Sequence, residues 1–192
     1  EWVDAIVVVN DHSTDDTKNV ARRTLEQKCF QGWEGKGWVI DTFPESQPPR
    51  SGVGATIDAG IQFISTKAEY GAWVKGEQWC VAVMDGDGQM DPAMVSTLIR
   101  PIRNGLADYV KGNRFFKLDG ISGMPVPRII GNLVLSFASK MSSGYWKIFD
   151  PTNGFTAIHA KVAQILPRHK IARDYFFESD MLYQLNILRA VV

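Results

Sequence analysis

The stretch Cys80-Val81-Ala82-Val83-Met84 constrains this chain more than any other. A short, continuous apolar run of this kind is the pattern of a strand buried on both faces. It passes without a linker into Asp85-Gly86-Asp87-Gly88-Gln89, so a buried strand must end at a solvent-facing rim that carries carboxylates. Asp91-Pro92 then opens a helix, with Asp as the cap and Pro in the first turn. Val95, Leu98, Ile99 and Ile102 supply its buried face, and Pro101 should bend or shorten it.

The same alternation recurs along the chain. Ala5 to Val9 reads as another strand buried on both faces, and Ser13 with Asp16 makes a capping box for a helix along Val20, Ala21, Leu25 and Cys29. A strand at Trp38 to Ile40 leads through a Pro-, Ser- and Gly-rich loop to Gly52-Val53-Gly54-Ala55, which opens a helix on Ile57, Ile61 and Ile64. A short strand from Asp108 to Lys111 follows, then an amphipathic helix on Ile130, Leu133, Val134, Phe137, Ala138 and Met141. A strand through Thr156 to His159 and a last helix after Glu178-Ser179-Asp180 complete the pattern. Strands alternating with helices predict an α/β fold with a mainly parallel sheet, in which ligands gather at the carboxyl ends of the strands. At 192 residues one domain is expected.

Composition removes several classes. The 21 basic and 21 acidic residues cancel, so no basic excess draws the chain onto nucleic acid. No apolar run reaches the roughly 18 residues of a membrane span, and the first residues lack a signal-peptide pattern. Cys29 and Cys80 have neither zinc-site spacing nor disulfide-scaffold density, which fits a reducing compartment. The stripe from Ile130 to Met141 reads as core rather than as a membrane-facing surface, since a basic polar face is lacking. The abrupt start at Glu1 and the strand-like ending Ala190-Val191-Val192 suggest a piece of a longer polypeptide.

Two carboxylates two residues apart at a strand end, Asp85 and Asp87, suit a hard divalent cation such as Mg2+ or Mn2+, with the Gln89 carbonyl as a further oxygen. Such an ion would neutralise charge on a leaving diphosphate, and Gly86 and Gly88 would let a large ligand approach. An ordinary Asp-Gly turn is the competing explanation. Asp11, ending the first strand, is a candidate for a nucleotide base or ribose, or else for capping. Arg114 and Arg128 suit phosphate oxygens, although surface arginines are common. Glu178 and Asp180 fit either an acceptor hydroxyl and its general base or the dipole of a helix N-terminus.

In order, these segments resemble family 2 glycosyltransferases. Asn10-Asp11-His12-Ser13-Thr14-Asp15-Asp16-Thr17 is similar to the family's Asp-Asp-Gly-Ser-Thr-Asp-x-Thr signature, with Asn10 for the first Asp and His12 for the Gly. Gly52-Val53-Gly54-Ala55 is similar to its Gly-x-Gly-x-Ala segment, and Asp85-Gly86-Asp87-Gly88-Gln89-Met90-Asp91-Pro92 to its Asp-x-Asp metal motif. Gly112-Asn113-Arg114-Phe115, Gly131-Asn132, Asp150-Pro151-Thr152-Asn153-Gly154-Phe155 and Phe176-Phe177-Glu178-Ser179-Asp180 follow in the family's order. Thr156 stands where Arg is frequent, and the family's opening strand has no counterpart. The branch resembled is that of dolichol-phosphate mannosyltransferases and bacterial polyprenyl-phosphate sugar transferases.

This resemblance implies the three-layer GT-A fold over residues 1–192, as a catalytic domain lacking the family's first strand and any C-terminal membrane segment. It implies inverting transfer from a UDP- or GDP-sugar to a polyprenyl phosphate at the cytoplasmic face of a membrane, with Mg2+ or Mn2+. By the same resemblance Asp11, Ser13, Gly54, Asp85 and Gly86 contact the donor, and Asp85, Asp87 and Gln89 surround the metal. Asp87, Glu178 and Asp180 are the catalytic candidates; Arg114, Arg128, Thr152 and Asn153 lie on the phosphate and acceptor side. The alternatives are transfer to a saccharide acceptor, or a module that binds the nucleotide sugar without turnover. A nucleotidyltransferase would share sheet and metal but needs a Gly-rich basic signature that the visible chain lacks.

Overall fold

The computed structural model of the chain describes residues 3–30, 35–42, 52–69, 79–113, 126–148, 150, 153–174 and 176–192. The chain divides into two compact units, Glu1–Lys75 with Ala172–Tyr175, and Gly76–Ile171 with Phe176–Val192.

In the first unit, β1 (Ala5–Asn10) pairs in parallel with β2 (Lys36–Asp41), from Ala5 opposite Lys36 to Asn10 opposite Asp41. Helix α1 (Thr17–Phe30) connects them, the crossover that a parallel pair requires. Helix α2 (Val53–Glu69) packs on β1. It can come close because a Cβ at Gly60 would already stand 3.1 Å from Val9 Cγ2. Trp38 of β2 meets Phe63 of α2 edge to face, ring centroids 5.8 Å apart.

The expected Ser13 capping box does not form. Helix α1 begins at Thr17, whose amide and hydroxyl both donate to Asp15 Oδ1, and the Val20 amide donates to the Asp16 carbonyl at 2.9 Å. His12 takes a left-handed φ of 53°, which turns the chain before a helix can start at Ser13. The amide of Ser13 instead donates to Asn10 Oδ1.

In the second unit the elements are β3 (Cys80–Val83), α3 (Val95–Arg103), β4 (Tyr109–Lys111), α4 (Val126–Ser143), β5 (Thr156–His159), α5 (Ala160–Ile165) and α6 (Phe177–Ile187). The sheet order is β3-β5-β4, with β5 antiparallel to both neighbours. Strands β3 and β4 therefore point the same way, as a strand–helix–strand unit predicts, but β5 lies between them. Ala82, Ala157 and Val110 are aligned across the three strands and so share one face. Leu98, Ile99 and Ile102 of α3 pack on that face. Val81, Ile158 and Tyr109, aligned in the next register position, are buried on the opposite face.

Asp91 caps as expected, its Oδ1 accepting from the Ala93 amide at 2.9 Å. The cap opens a short 3-10 turn, Pro92–Met94, ahead of α3, and α3 ends soon after Pro101. Ala190 to Val192 does not form a strand. Val191 instead holds the start of β4, its carbonyl accepting from the amides of Asp108 and Tyr109 at 2.7 and 3.1 Å.

Two burial expectations need correction. Ile6 of β1 is exposed, and so is Met84, which lies past the last paired residue of β3, Val83. On α4 the stripe expected to be core is open to solvent at Val134 (64%), Phe137 (59%) and Met141 (64%). Trp146 joins it, edge to face with Phe137 at 6.3 Å. The side chains of Ile130, Leu133 and Ala138 lie outside the described residues. No helix among the described residues is long and apolar enough to cross a membrane.

Candidate functional site

Because β5 runs against its neighbours, the segment leading into it arrives beside the carboxyl ends of β3 and β4. Those ends carry Asp85-Gly86-Asp87 and Lys111-Gly112, and the arriving segment carries Asn153-Gly154-Phe155. Gly154 is placed so that a Cβ would fall 2.9 Å from Asp85 Oδ2. Only glycine admits the carboxylate there without a shift. The Gly112 amide donates to the Phe155 carbonyl at 2.8 Å, and the Asn153 side chain turns the chain by accepting from the Phe155 amide at 3.0 Å.

Behind this loop lies an ion pair. Lys111 Nζ donates to Glu178 Oε2 at 3.0 Å and to the Asn153 carbonyl at 2.6 Å. The two side chains are 3% and 17% exposed. Burial pushes the Glu178 carboxyl above the ordinary range; Lys111 opposes this by charge and hydrogen bond, while Asp150 and Asp85 add to it. Asp85 is open to solvent as a residue, yet partial desolvation of its carboxylate raises its pKa. The neighbouring charge of Asp87 raises it further, and Lys111 again opposes. Asp87 Oδ1 accepts from the Gln89 amide at 3.0 Å, so the segment makes a local turn with Asp85 and Asp87 both exposed at the rim.

Glu178 and Asp180 both stand in the first turn of α6, where the helix dipole also favours acids. Two residues apart on a helix, they lie about 200° apart around its axis. Glu178 turns inward to Lys111.

The first unit holds Asp11, Ser13 and Gly54. Asp11 Oδ2 accepts from the Gly52 amide at 3.3 Å. Gly52 has a φ of 87° and packs so tightly that a Cβ would meet the Arg173 carbonyl oxygen at 2.5 Å. The Gly54 and Ala55 amides donate to that same oxygen at 3.0 and 3.4 Å. Asn10, buried, donates to Asp41 Oδ1 at 2.9 Å, and Lys18 donates to Asp41 Oδ2. Lys18 and Asn10, with the charge of His12, hold the Asp41 carboxyl below its usual range.

Arg114 and Thr152 lie outside the described residues; Arg128 is placed only by its backbone, in the first turn of α4. Sequence reasoning missed Lys111 and the buried Asp150 as parts of the site. The signal for both was position: Lys111 directly precedes the Gly-Asn-Arg segment, and Asp150 heads Asp-Pro-Thr-Asn-Gly-Phe.

Among the described residues no three His, Cys, Asp or Glu side chains gather as a metal cage. A magnesium-like cation needs none, since it binds through one or two carboxylates plus substrate phosphates. Asp85 and Asp87 fit that requirement. Their mutual repulsion is what a cation relieves, and nothing stands within 4 Å of a Cβ position at Gly86 or Gly88.

The sequence profile of "Glycosyl transferase family 2" matches residues 3–166. The chain belongs to glycosyl transferase family 2. Among family 2 relatives, the UDP-N-acetylglucosamine--dolichyl-phosphate N-acetylglucosaminyltransferase of Methanococcus voltae is 29% identical over 181 residues, 93% of this chain and 68% of that protein. An uncharacterized protein of Methanocaldococcus jannaschii is 23% identical, over 83% of this chain and 55% of its own length. Glucosyl-3-phosphoglycerate synthase from Mycobacterium tuberculosis, solved with phosphoglyceric acid, superposes with a TM-score of 0.63 at 22% identity. The match covers 97% of this chain and 55% of the synthase. The same synthase with Mn2+, UDP and glucosyl-3-phosphoglycerate superposes with a TM-score of 0.58 at 20% identity. These likenesses establish the GT-A fold, and the chain spans about half the length of the solved synthase.

Proposed function

We propose that this chain is the catalytic region of a metal-dependent, inverting glycosyltransferase. It moves a sugar from a UDP- or GDP-sugar to a polyprenyl phosphate, dolichyl or undecaprenyl, at the cytoplasmic face of a membrane. The observation that supports this most is the Asp85–Asp87 pair at the β3 rim, with Asp85 seated against Gly154. The dolichyl-phosphate acceptor named for the Methanococcus voltae relative supports the acceptor class, and the UDP and Mn2+ of the solved synthase support donor and metal. The exposed Val134, Phe137, Met141 and Trp146 support a membrane surface.

In this reading Asp85 and Asp87, with Gln89, hold Mg2+ or Mn2+, whose chemistry when bound is to neutralise charge on the departing diphosphate. Asp11, Ser13 and Gly54 are proposed nucleotide contacts, and Arg114, Arg128, Thr152 and Asn153 phosphate or acceptor contacts. A phosphate oxygen of the acceptor attacks the anomeric carbon as the bond to the nucleoside diphosphate breaks. That oxygen is already ionised, so alignment and charge stabilisation carry the reaction and no strong base is required.

One observation favours a second reading, transfer to a hydroxyl of a saccharide or other polar acceptor. Burial raises the pKa of the Glu178 carboxyl above the ordinary carboxylate value, the direction that strengthens it as a base.

The test is release of UDP or GDP from a panel of nucleotide sugars with Mn2+, in the presence of dolichyl or undecaprenyl phosphate or of hydroxyl acceptors. Turnover only with the lipid phosphates, lost at least 100-fold in Asp87→Ala, is expected. Turnover only with hydroxyl acceptors selects the second reading. Nucleotide binding without turnover on any acceptor would leave a binding module and refute both.

A further inference from the structure

We propose that Lys111 is a positioning residue of this site: its buried ammonium ties α6, through Glu178, to the carbonyl of Asn153, and so fixes the loop against which the Asp85 carboxylate rests. The consequence for turnover rests on the glycosyl-transfer reading above, whereas the consequence for the loop does not.

An ammonium withdrawn from water to 3% exposure is strongly unfavourable unless charge and hydrogen bonds replace the lost solvent. Lys111 finds both on two different segments, Glu178 at 3.0 Å and the Asn153 carbonyl at 2.6 Å. From Asn153 the contacts continue outward. Its side chain accepts from the Phe155 amide, and next to it Gly154 meets Asp85 Oδ2, which a Cβ would approach to 2.9 Å. The residue after Lys111 grips the same loop again. The Gly112 amide donates to the Phe155 carbonyl, and a Cβ on Gly112 would stand 2.9 Å from Asn153 Nδ2. The end of β4 thus clamps residues 153–155 twice, by charge and by close backbone approach. Glu178 and Asp85 are thereby joined through Lys111, Asn153 and Gly154 in sequence. A compact ammonium with several donors suits this arrangement, where one head must serve a carboxylate and a carbonyl together.

A purely structural ion pair makes a different prediction from a positioning residue, and a double variant separates them. Lys111→Met alone leaves Glu178 buried without its cation and should lower the Tm strongly. Lys111→Met with Glu178→Gln removes both charges and should recover most of that loss. The comparison is then between this double variant and Glu178→Gln alone, which keeps the lysine. Positioning predicts at least 10-fold faster hydrogen–deuterium exchange at the amides of Gly112 and Phe155 in the double variant. It also predicts at least 10-fold weaker Mn2+ binding in the presence of UDP or GDP.

Equal exchange and equal Mn2+ affinity in the two proteins, with the Tm recovered, would make Lys111 only an ion-pair partner and overturn the inference. Should the methionine variant not fold, Lys111→Gln in the same Glu178→Gln background carries the same comparison. The exchange measurement needs neither metal nor turnover. A wild-type protein that transfers no sugar refutes the functional reading and leaves the Lys111 result legible.

Discussion

At the scale of single residues, the site is set by what is missing as much as by what is present. Gly154 has no side chain where Asp85 needs room, so Gly154→Ala must displace the carboxylate or the loop. We expect that variant to keep its fold and to lose Mn2+-dependent turnover at least 10-fold. Wild-type activity in a folded Gly154→Ala protein would show that Asp85 does not depend on this seat. In the first unit Asp41, bonded by Asn10 and Lys18, has a lowered pKa. Its stabilising contribution is present above the unfolded carboxylate value of about 3.9 and fades as pH falls through the lower folded value. Compared by urea unfolding, wild type should exceed Asp41→Asn by roughly 1 kcal/mol or less at pH 7, since both partners reach solvent. The gap should close toward pH 2, and a gap that widens in acid would contradict the assignment. His12 shows why one departure from the family signature was hard to weigh from sequence. The signature has Gly there, and the structure explains it by a left-handed φ that His tolerates less readily than Gly.

At the scale of elements, most of the fold was legible where a period or a cap fixed it. Strand β5 was read with its observed bounds, and the Asp91-Pro92 start ahead of α3 holds because cap and ring each impose local geometry. The start of α1 was misread because Ser13 and Asp16 satisfy a spacing rule while the φ of His12, which decides the matter, leaves no trace in composition. The direction of β5 was not legible either. Alternation in a strand is the same read forward or backward, so the insertion between β3 and β4 emerges only from tertiary pairing. Lys111 escaped notice for a related reason: a lysine ending a strand reads as solvated until the segment that covers it is known. Helix α4 is the opposite case, its stripe visible but its surroundings not. Val134, Phe137 and Met141 fall on one helical face and are exposed together. If that face meets lipid, Phe137→Glu should reduce co-sedimentation with phosphatidylglycerol vesicles at least 10-fold while leaving the Tm nearly unchanged. Vesicle binding equal to wild type would remove α4 from the membrane contact.

At the scale of the whole molecule, the order of strands in space differs from their order along the chain. The middle strand of the second sheet is the last of its three to be made, and the residues it delivers complete the acidic rim. While a ribosome is still short of residue 156, β3 and β4 have no shared neighbour, and their hydrogen-bonding edges wait open. Closing that gap late joins contacts far apart in sequence, a slow kind of step for a nascent polypeptide. The sheet and the acidic rim are therefore completed in one event.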